Sequence, residues 1–169
     1  MDSSNAKCGL IKAAIIEPVG GHGGMSYYDF SLCKGLVRAG VEVILYTCDE
    51  TVVPEHVTFL VKRYFQGIYD KDNRLTRAFR YALGLRKALL AARSNGVHII
   101  HFHFFHGSLR EWFSACYAKL YGFRILITVH DVYSLTGYSL PIIAKRTYAF
   151  ADRIIVHNQF SKRELISRY

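Results

Sequence analysis

The chain has 169 residues, room for one domain with a real core and too few for two ordinary ones. With 51% hydrophobic and 21% charged residues it reads as soluble and globular, and no apolar run is long enough to span a bilayer. The net charge of +9 points either to simple solubility or to an anionic partner: phosphate groups, nucleic acid or an acidic membrane surface.

The first segment, "MDSSNAKCGLIKAAIIEP", lacks the basic start and unbroken apolar stretch of a signal peptide. Cys8, Cys33, Cys48 and Cys116 are scattered with no C-x-x-C pair, so reduced thiols in a cytoplasmic protein are expected. Six apolar runs then recur at a βα spacing: Lys12–Ile16, Val41–Thr47, Val57–Val61, His98–Phe104, Arg124–Val129 and Arg153–His157. Their near-continuous Ile, Val, Leu and Phe content suits parallel strands covered on both faces.

The first strand is followed by "EPVGGHGGMSYYDF", four glycines around His22 ahead of a helical pattern. Met25, Leu32, Cys33, Leu36 and Val37 share one side of that helix, which should stop at Gly40. Asp49–Glu55 joins the second and third strands without a helix. In "NRLTRAFRYALGLRKALLAARSNG" the stripe Leu75, Phe79, Ala82, Leu89 and Leu90 predicts the buried face, with Arg74, Arg77, Arg80 and Lys87 opposite. Arg86 falls on the apolar side and has no account. Ser108 and Glu111 of "SLRE" form a capping box for a helix ending at Gly122, and "SKRE" (Ser161, Glu164) predicts a second box for the last helix.

This order predicts an α/β fold: a doubly wound, Rossmann-like parallel sheet of six strands with helices on both faces. Such sheets bind ligands beyond the carboxyl ends of their strands, at the switch point between the first and fourth. "GGHGG", "HFHFFHG", "HD" and "HNQFS" would all lie on that edge.

Several chemistries fit these groups. A glycine loop feeding a helix N-terminus suits an anion, because free N–H groups and the helix dipole face it. Gly21-x-Gly23 begins a dinucleotide fingerprint, with Asp49 or Glu50 for ribose, but Ser26 occupies its third glycine position. No G-K-[ST] follows, which excludes a P-loop. His101, His103 and His106 with His130 and Asp131 could ligate zinc, though no H-E-x-x-H or cysteine pair supports it and no metal is expected. A polar cleft for a sugar phosphate or sugar nucleotide is the remaining reading, with His and Asp meeting hydroxyls and phosphate. The aromatics sit in strand and core patterns rather than between basic residues on one face, so nucleic acid is not expected as a partner.

The segments "EPVGGHGGMSYYDFSLCKGLVRAGVEVILYT", "HIIHFHFFHG", "ILITVHDV" and "ADRIIVHNQFSKREL", in this order, resemble the N-terminal domain of a family 4 glycosyltransferase (GT-B fold, retaining). The resemblance covers nearly the whole chain and implies half of a GT-B architecture, with residues 1–169 as a single acceptor-side domain cut short near its C-terminal end. The C-terminal nucleotide-sugar domain, with its acidic E-x(7)-E motif, is absent from the sequence. The chain is therefore expected to be an excised half or one subunit of a split transferase, inactive alone, needing that domain in cis or in trans.

The resemblance also assigns roles. Gly20, Gly21, Gly23 and Gly24 would approach the donor diphosphate, and His130 would contact the donor sugar near the reacting carbon. Of the substrate-binding residues, His103 would line the acceptor side and Asp131 would help shape that pocket, while His22 would meet phosphate or acceptor or else face solvent. No tightly bound cofactor is implied; the donor would be a UDP- or GDP-sugar type substrate, and the acceptor a glycan, a lipid-linked or a small molecule. The expected location is cytoplasmic, peripheral at the inner face of a membrane if the basic helix meets anionic lipid. The competing reading is a non-catalytic membrane-docking or scaffolding subunit.

Overall fold

Alternate residues of each central strand are covered from opposite sides, and the sheet is built on that alternation. The structure is a computed structural model describing residues 10–105, 107–131 and 140–169. In chain order its elements are β1 (Lys12–Glu17), α1 (Met25–Arg38), β2 (Glu42–Cys48), β3 (Leu60–Phe65), α2 (Arg74–Ser94) and β4 (Ile99–Phe104). They continue as α3 (Leu109–Leu120), β5 (Arg124–Val129), α4 (Pro141–Ala149), β6 (Arg153–Val156) and α5 (Gln159–Arg168). All strand pairs are parallel, in the order β3-β2-β1-β4-β5-β6, so the direction of winding reverses between β1 and β4.

Ile16, Tyr46, Phe102 and Ile127 pack on one face against Leu85 and Ala88 of α2, Ala115 of α3 and Ala144 of α4. Ile15, Val43 and Leu45 pack on the other against Phe30 and Cys33 of α1. The link between β2 and β3 stands in for a helix there, supplying Val53, Val57 and Phe59. Gly40 and Gly122 take left-handed φ values of 82° and 79° beyond α1 and α3, which ends both helices as expected. The Ser108–Glu111 capping box is formed in full.

Three sequence expectations are corrected. The third strand runs Leu60–Phe65 rather than Val57–Val61. It is an edge strand whose outward Lys62 and Arg63 break the apolar run, while Phe65 at its end is fully buried.

The buried face of α2 is Tyr81, Gly84, Leu85, Ala88, Leu89 and Ala92; Leu75 and Phe79 are 83% and 64% exposed. Gly84 is the reason. A Cβ there would lie 2.7 Å from the Tyr64 carbonyl, so only a small face lets this helix approach β3. Arg80 is tied down rather than free in solvent: its guanidinium bonds Asp70, Asp72 and the Gly67 carbonyl, each at 2.7 Å.

The last helix is capped by Asn158, whose Oδ1 accepts the Ser161 N–H at 2.7 Å, and Ser161 and Glu164 lie within the helix. An Asn side chain reaches the third amide as well as a Ser does, so the earlier residue takes the cap.

Candidate active site

The carboxyl ends of β1, β4, β5 and β6 meet at one edge, and the loops leaving them carry the polar residues. His130 follows β5 and donates its N–H to the Phe104 carbonyl at 2.9 Å; His157 follows the adjacent β6. Their rings meet edge to edge, with His157 Nε2 3.1 Å from His130 Nδ1. Phe105 stacks on His130 with centroids 4.7 Å apart and planes at 16°. Tyr28, from the second turn of α1, stands edge-on to His103, His130 and His157 at 5.2, 5.0 and 5.7 Å.

His101, His103, His130 and His157 thus form a row, with neighbouring centroids 4.8, 5.3 and 4.8 Å apart. Burial pushes the imidazoles down to about 3 for His101 and about 4 for His103 and His130, and neighbouring imidazoles add to the shift. At neutral pH these three are uncharged. They bring no fixed positive charge to the edge, and of the three only His130 is partly exposed.

Positive potential comes from the backbone instead. The N-terminus of α1 is capped by Gly24 with no side-chain bond and no acid in the first turn; the Met25 and Tyr27 amides bond the His22 and Gly24 carbonyls, so what this end offers an anion is chiefly the helix dipole.

The four glycines divide into two pairs. A Cβ on Gly20 would come within 2.5 Å of Thr47 Oγ1, and one on Gly21 within 2.9 Å of the Glu50 backbone, so these two let the loop lie against the end of β2. Gly23 and Gly24 take φ of 59° and 75°, with nothing within 4 Å of their built Cβ positions. Of the four, these two face open space.

His22 is held to one side, its Nε2 2.8 Å from Glu50 Oε2 and its ring 4.1 Å from that of Tyr69. Asp131 is half-buried beside His130. His103 lies beneath the surface with its side chain fully covered, against Asp29 and Glu17. His101 is occupied by Thr128, Nε2 to Oγ1 at 2.8 Å, which takes that nitrogen out of the set the zinc reading drew on. His106 lies outside the described residues. A separate cavity of about 450 Å³ opens between α2 and α3, lined by Tyr69, Arg74, Arg77, Leu109, Arg110 and Phe113.

Sequence patterning misses Tyr28, Glu17 and Asp29. Asp29 carried a signal: with Met25 and Cys33 it falls at i, i+4 and i+8 on the inward stripe of α1, a charged residue at a core position.

Residues 22–169 match the profile of Glycosyltransferase Family 4. The chain belongs to that family. No curated protein sequence matches it significantly. Among solved structures, the family 4 domain is similar to sucrose-phosphate synthase from Thermosynechococcus elongatus, with a TM-score of 0.66 and 19% identity over 93% of this chain and 45% of that one. It is also similar to a UDP-N-acetylglucosamine 2-epimerase, with a TM-score of 0.60 and 12% identity over 93% of this chain and 44% of that one. A third is a variant of Os79 from O. sativa in complex with UDP, with a TM-score of 0.55 and 12% identity over 92% of this chain and 49% of that one.

The family 4 domain spans about half the length of these three structures. At such identities the likeness is one of fold, a Rossmann-like sheet consistent with half of a GT-B architecture. An epimerase among the neighbours shows that this fold alone does not choose the reaction.

Proposed function

We propose that the chain is the acceptor-side domain of a glycosyltransferase that moves a sugar from a nucleotide-sugar donor, of UDP or GDP type, to a glycan, lipid-linked or small-molecule acceptor. A C-terminal donor domain, in cis or as a separate chain, completes the cleft. The observation that carries this reading is the meeting of a glycine loop, a bare helix N-terminus and the His130–His157 pair at the switch-point edge. Membership of glycosyltransferase family 4 supports it.

In this reading the glycine loop, Gly20, Gly21, Gly23 and Gly24, takes the donor diphosphate. Gly20 and Gly21 set its path, while Gly23 and Gly24 bring bare backbone against phosphate. Charge growing on the leaving diphosphate is met by the positive end of the α1 dipole. Neutral His130 contacts the donor sugar, held flat by Phe105 and from the side by His157. His22 and Asp131 bound the acceptor side, with His103 shaping it from beneath. The test is to supply a family 4 donor domain and measure turnover of UDP- and GDP-sugars by the wild type and by His130→Ala. Activity that needs the second domain and falls in the variant supports the reading.

A second reading, membrane docking at the cytoplasmic face, is favoured by α2. Leu75, Phe79, Leu83 and Leu90 are exposed at i, i+4, i+8 and i+15, and Arg86 falls among them at i+11. Arg86 now has an account: it belongs to an exposed stripe, where a basic head beside apolar side chains suits anionic lipid. Among the described residues no helix is long and apolar enough to cross a membrane. Docking is compatible with transfer to a lipid-linked acceptor, and it also describes a scaffolding subunit without catalysis. Sedimentation with anionic vesicles at low and high salt tests it.

A further inference from the structure

Glu17 ends β1, Asp29 lies on the inward stripe of α1, and His103 stands near the end of β4, the strand beside β1. Their side chains reach one point below the glycine loop, where the three residues are 0%, 1% and 5% exposed. His103 Nδ1 lies 3.1 Å from Asp29 Oδ1 and 3.5 Å from Glu17 Oε2. Neither approach has hydrogen-bond geometry. Glu17 Oε2, both Asp29 oxygens and both His103 ring nitrogens are buried without a hydrogen bond. The other Glu17 oxygen accepts the Val19 N–H at 2.7 Å, which fixes the carboxylate.

One imidazole nitrogen makes one hydrogen bond, as donor or as acceptor. Two carboxylates converge on the same nitrogen here, so either tautomer leaves at least one carboxylate oxygen without a partner in the interior, which is disfavoured. A cation shared by all three removes the conflict. Ligand atoms about 2.1 Å from a tetrahedral ion stand ~3.4 Å apart, close to the 3.1 and 3.5 Å separations. All three ligand atoms lie within 4.8 Å of one another.

We propose that Glu17, Asp29 and His103 bind one divalent transition-metal ion of the zinc type. Two carboxylates balance its charge, and an imidazole ligand favours zinc over magnesium or calcium, which prefer oxygen-rich, hydrated shells. This departs from the sequence expectation of no metal. The ion ties β1, α1 and β4 together beneath the glycine loop, independently of whether sugar transfer is the reaction.

The test uses untagged full-length chain, stripped with EDTA and titrated with ZnCl₂. Thermal unfolding, metal content after desalting and the visible spectrum with CoCl₂ are the readouts. The wild type should retain zinc at one per chain, and its Tm should rise by about 5–10 °C at a hundredfold excess over Kd. Asp29→Asn and His103→Gln should lose both responses, while His157→Gln, which removes the exposed histidine pair, should keep them. Should the core variants fail to fold, the wild-type cobalt spectrum decides: intense bands of a low-coordinate N/O centre support the site. A wild-type Tm indifferent to zinc, or retention that His157→Gln abolishes, overturns it.

Discussion

His157 Nε2 stands 3.1 Å from His130 Nδ1, close enough that one proton serves both rings. His130 is held down to about 4, first by burial and then by His103 and His157, so a second proton on this pair is disfavoured until the pH is well below neutral. In a carbon-detected histidine titration His130 should remain neutral through pH 6, and His157→Gln should raise its pKa by removing one of the neighbouring charges. An ordinary midpoint near 6.5 for His130 would contradict the packed arrangement.

Stability should carry the same sign. His101 and His130 bind protons in the unfolded chain below about 6.5 but in the folded one only near 3 and 4. Between those limits these two histidines hold more protons in the unfolded state, so their contribution to stability falls as the pH drops from about 6.5 towards 4, while the Asp29 carboxyl, pushed up to about 8 by burial, contributes in the opposite direction. The His130 part is read as a difference: in EDTA, the urea midpoint of His130→Gln should gain on that of the wild type as the pH falls through this window.

The glycines should separate by mechanism. Gly20→Ala drives a Cβ into Thr47, and its cost should be about 1–3 kcal/mol of overpacking. Gly23→Ala meets no atom within 4 Å and strains only φ, at about 1–2 kcal/mol. If Gly23 faces the diphosphate, its variant should stay folded and still lose nucleotide-sugar turnover beyond what its stability change explains. Denaturant midpoints beside turnover rates separate the two effects.

Gly84→Ala should destabilise by about 1–3 kcal/mol, because its Cβ would sit 2.7 Å from the Tyr64 carbonyl. This substitution raises helix propensity, so a gain in stability would show that α2 does not rest on β3 as described.

On the outer stripe of α2, Leu75→Ser with Phe79→Ser should change stability by less than about 1 kcal/mol yet weaken binding to anionic vesicles. Charge reversal belongs at Arg74, Arg86 and Lys87. Arg80 is a poor choice because it holds Asp70, Asp72 and Gly67, and its loss would confound docking with folding.

How far the sequence was legible follows from what each pattern measures. Apolar runs located β1, β2, β4 and β5 within a residue or so, because strands covered on both faces have little room for anything else; the run at β6 was located as well, although Ile154 and Ile155 are exposed on this edge strand. Glycine and capping-box chemistry located the ends of α1 and α3, since left-handed φ and orphan amides are local demands. Size misled the reading of α2: Gly84, Ala88 and Ala92 face the sheet, while the large Leu75 and Phe79 face outward. Strand order let the His130 and His157 groups be placed on one edge. Asp29 was hidden because its meaning depends on His103, 74 positions away in the chain and 3.1 Å away in space.

The most direct test is sugar release and transfer from UDP- and GDP-sugars by this chain joined to a family 4 donor domain, with wild type and His130→Ala compared at matched folding. The account predicts turnover only in the joined protein, reduced by about 10²-fold or more in the variant. Full turnover by His130→Ala, or turnover by the chain alone, would contradict it.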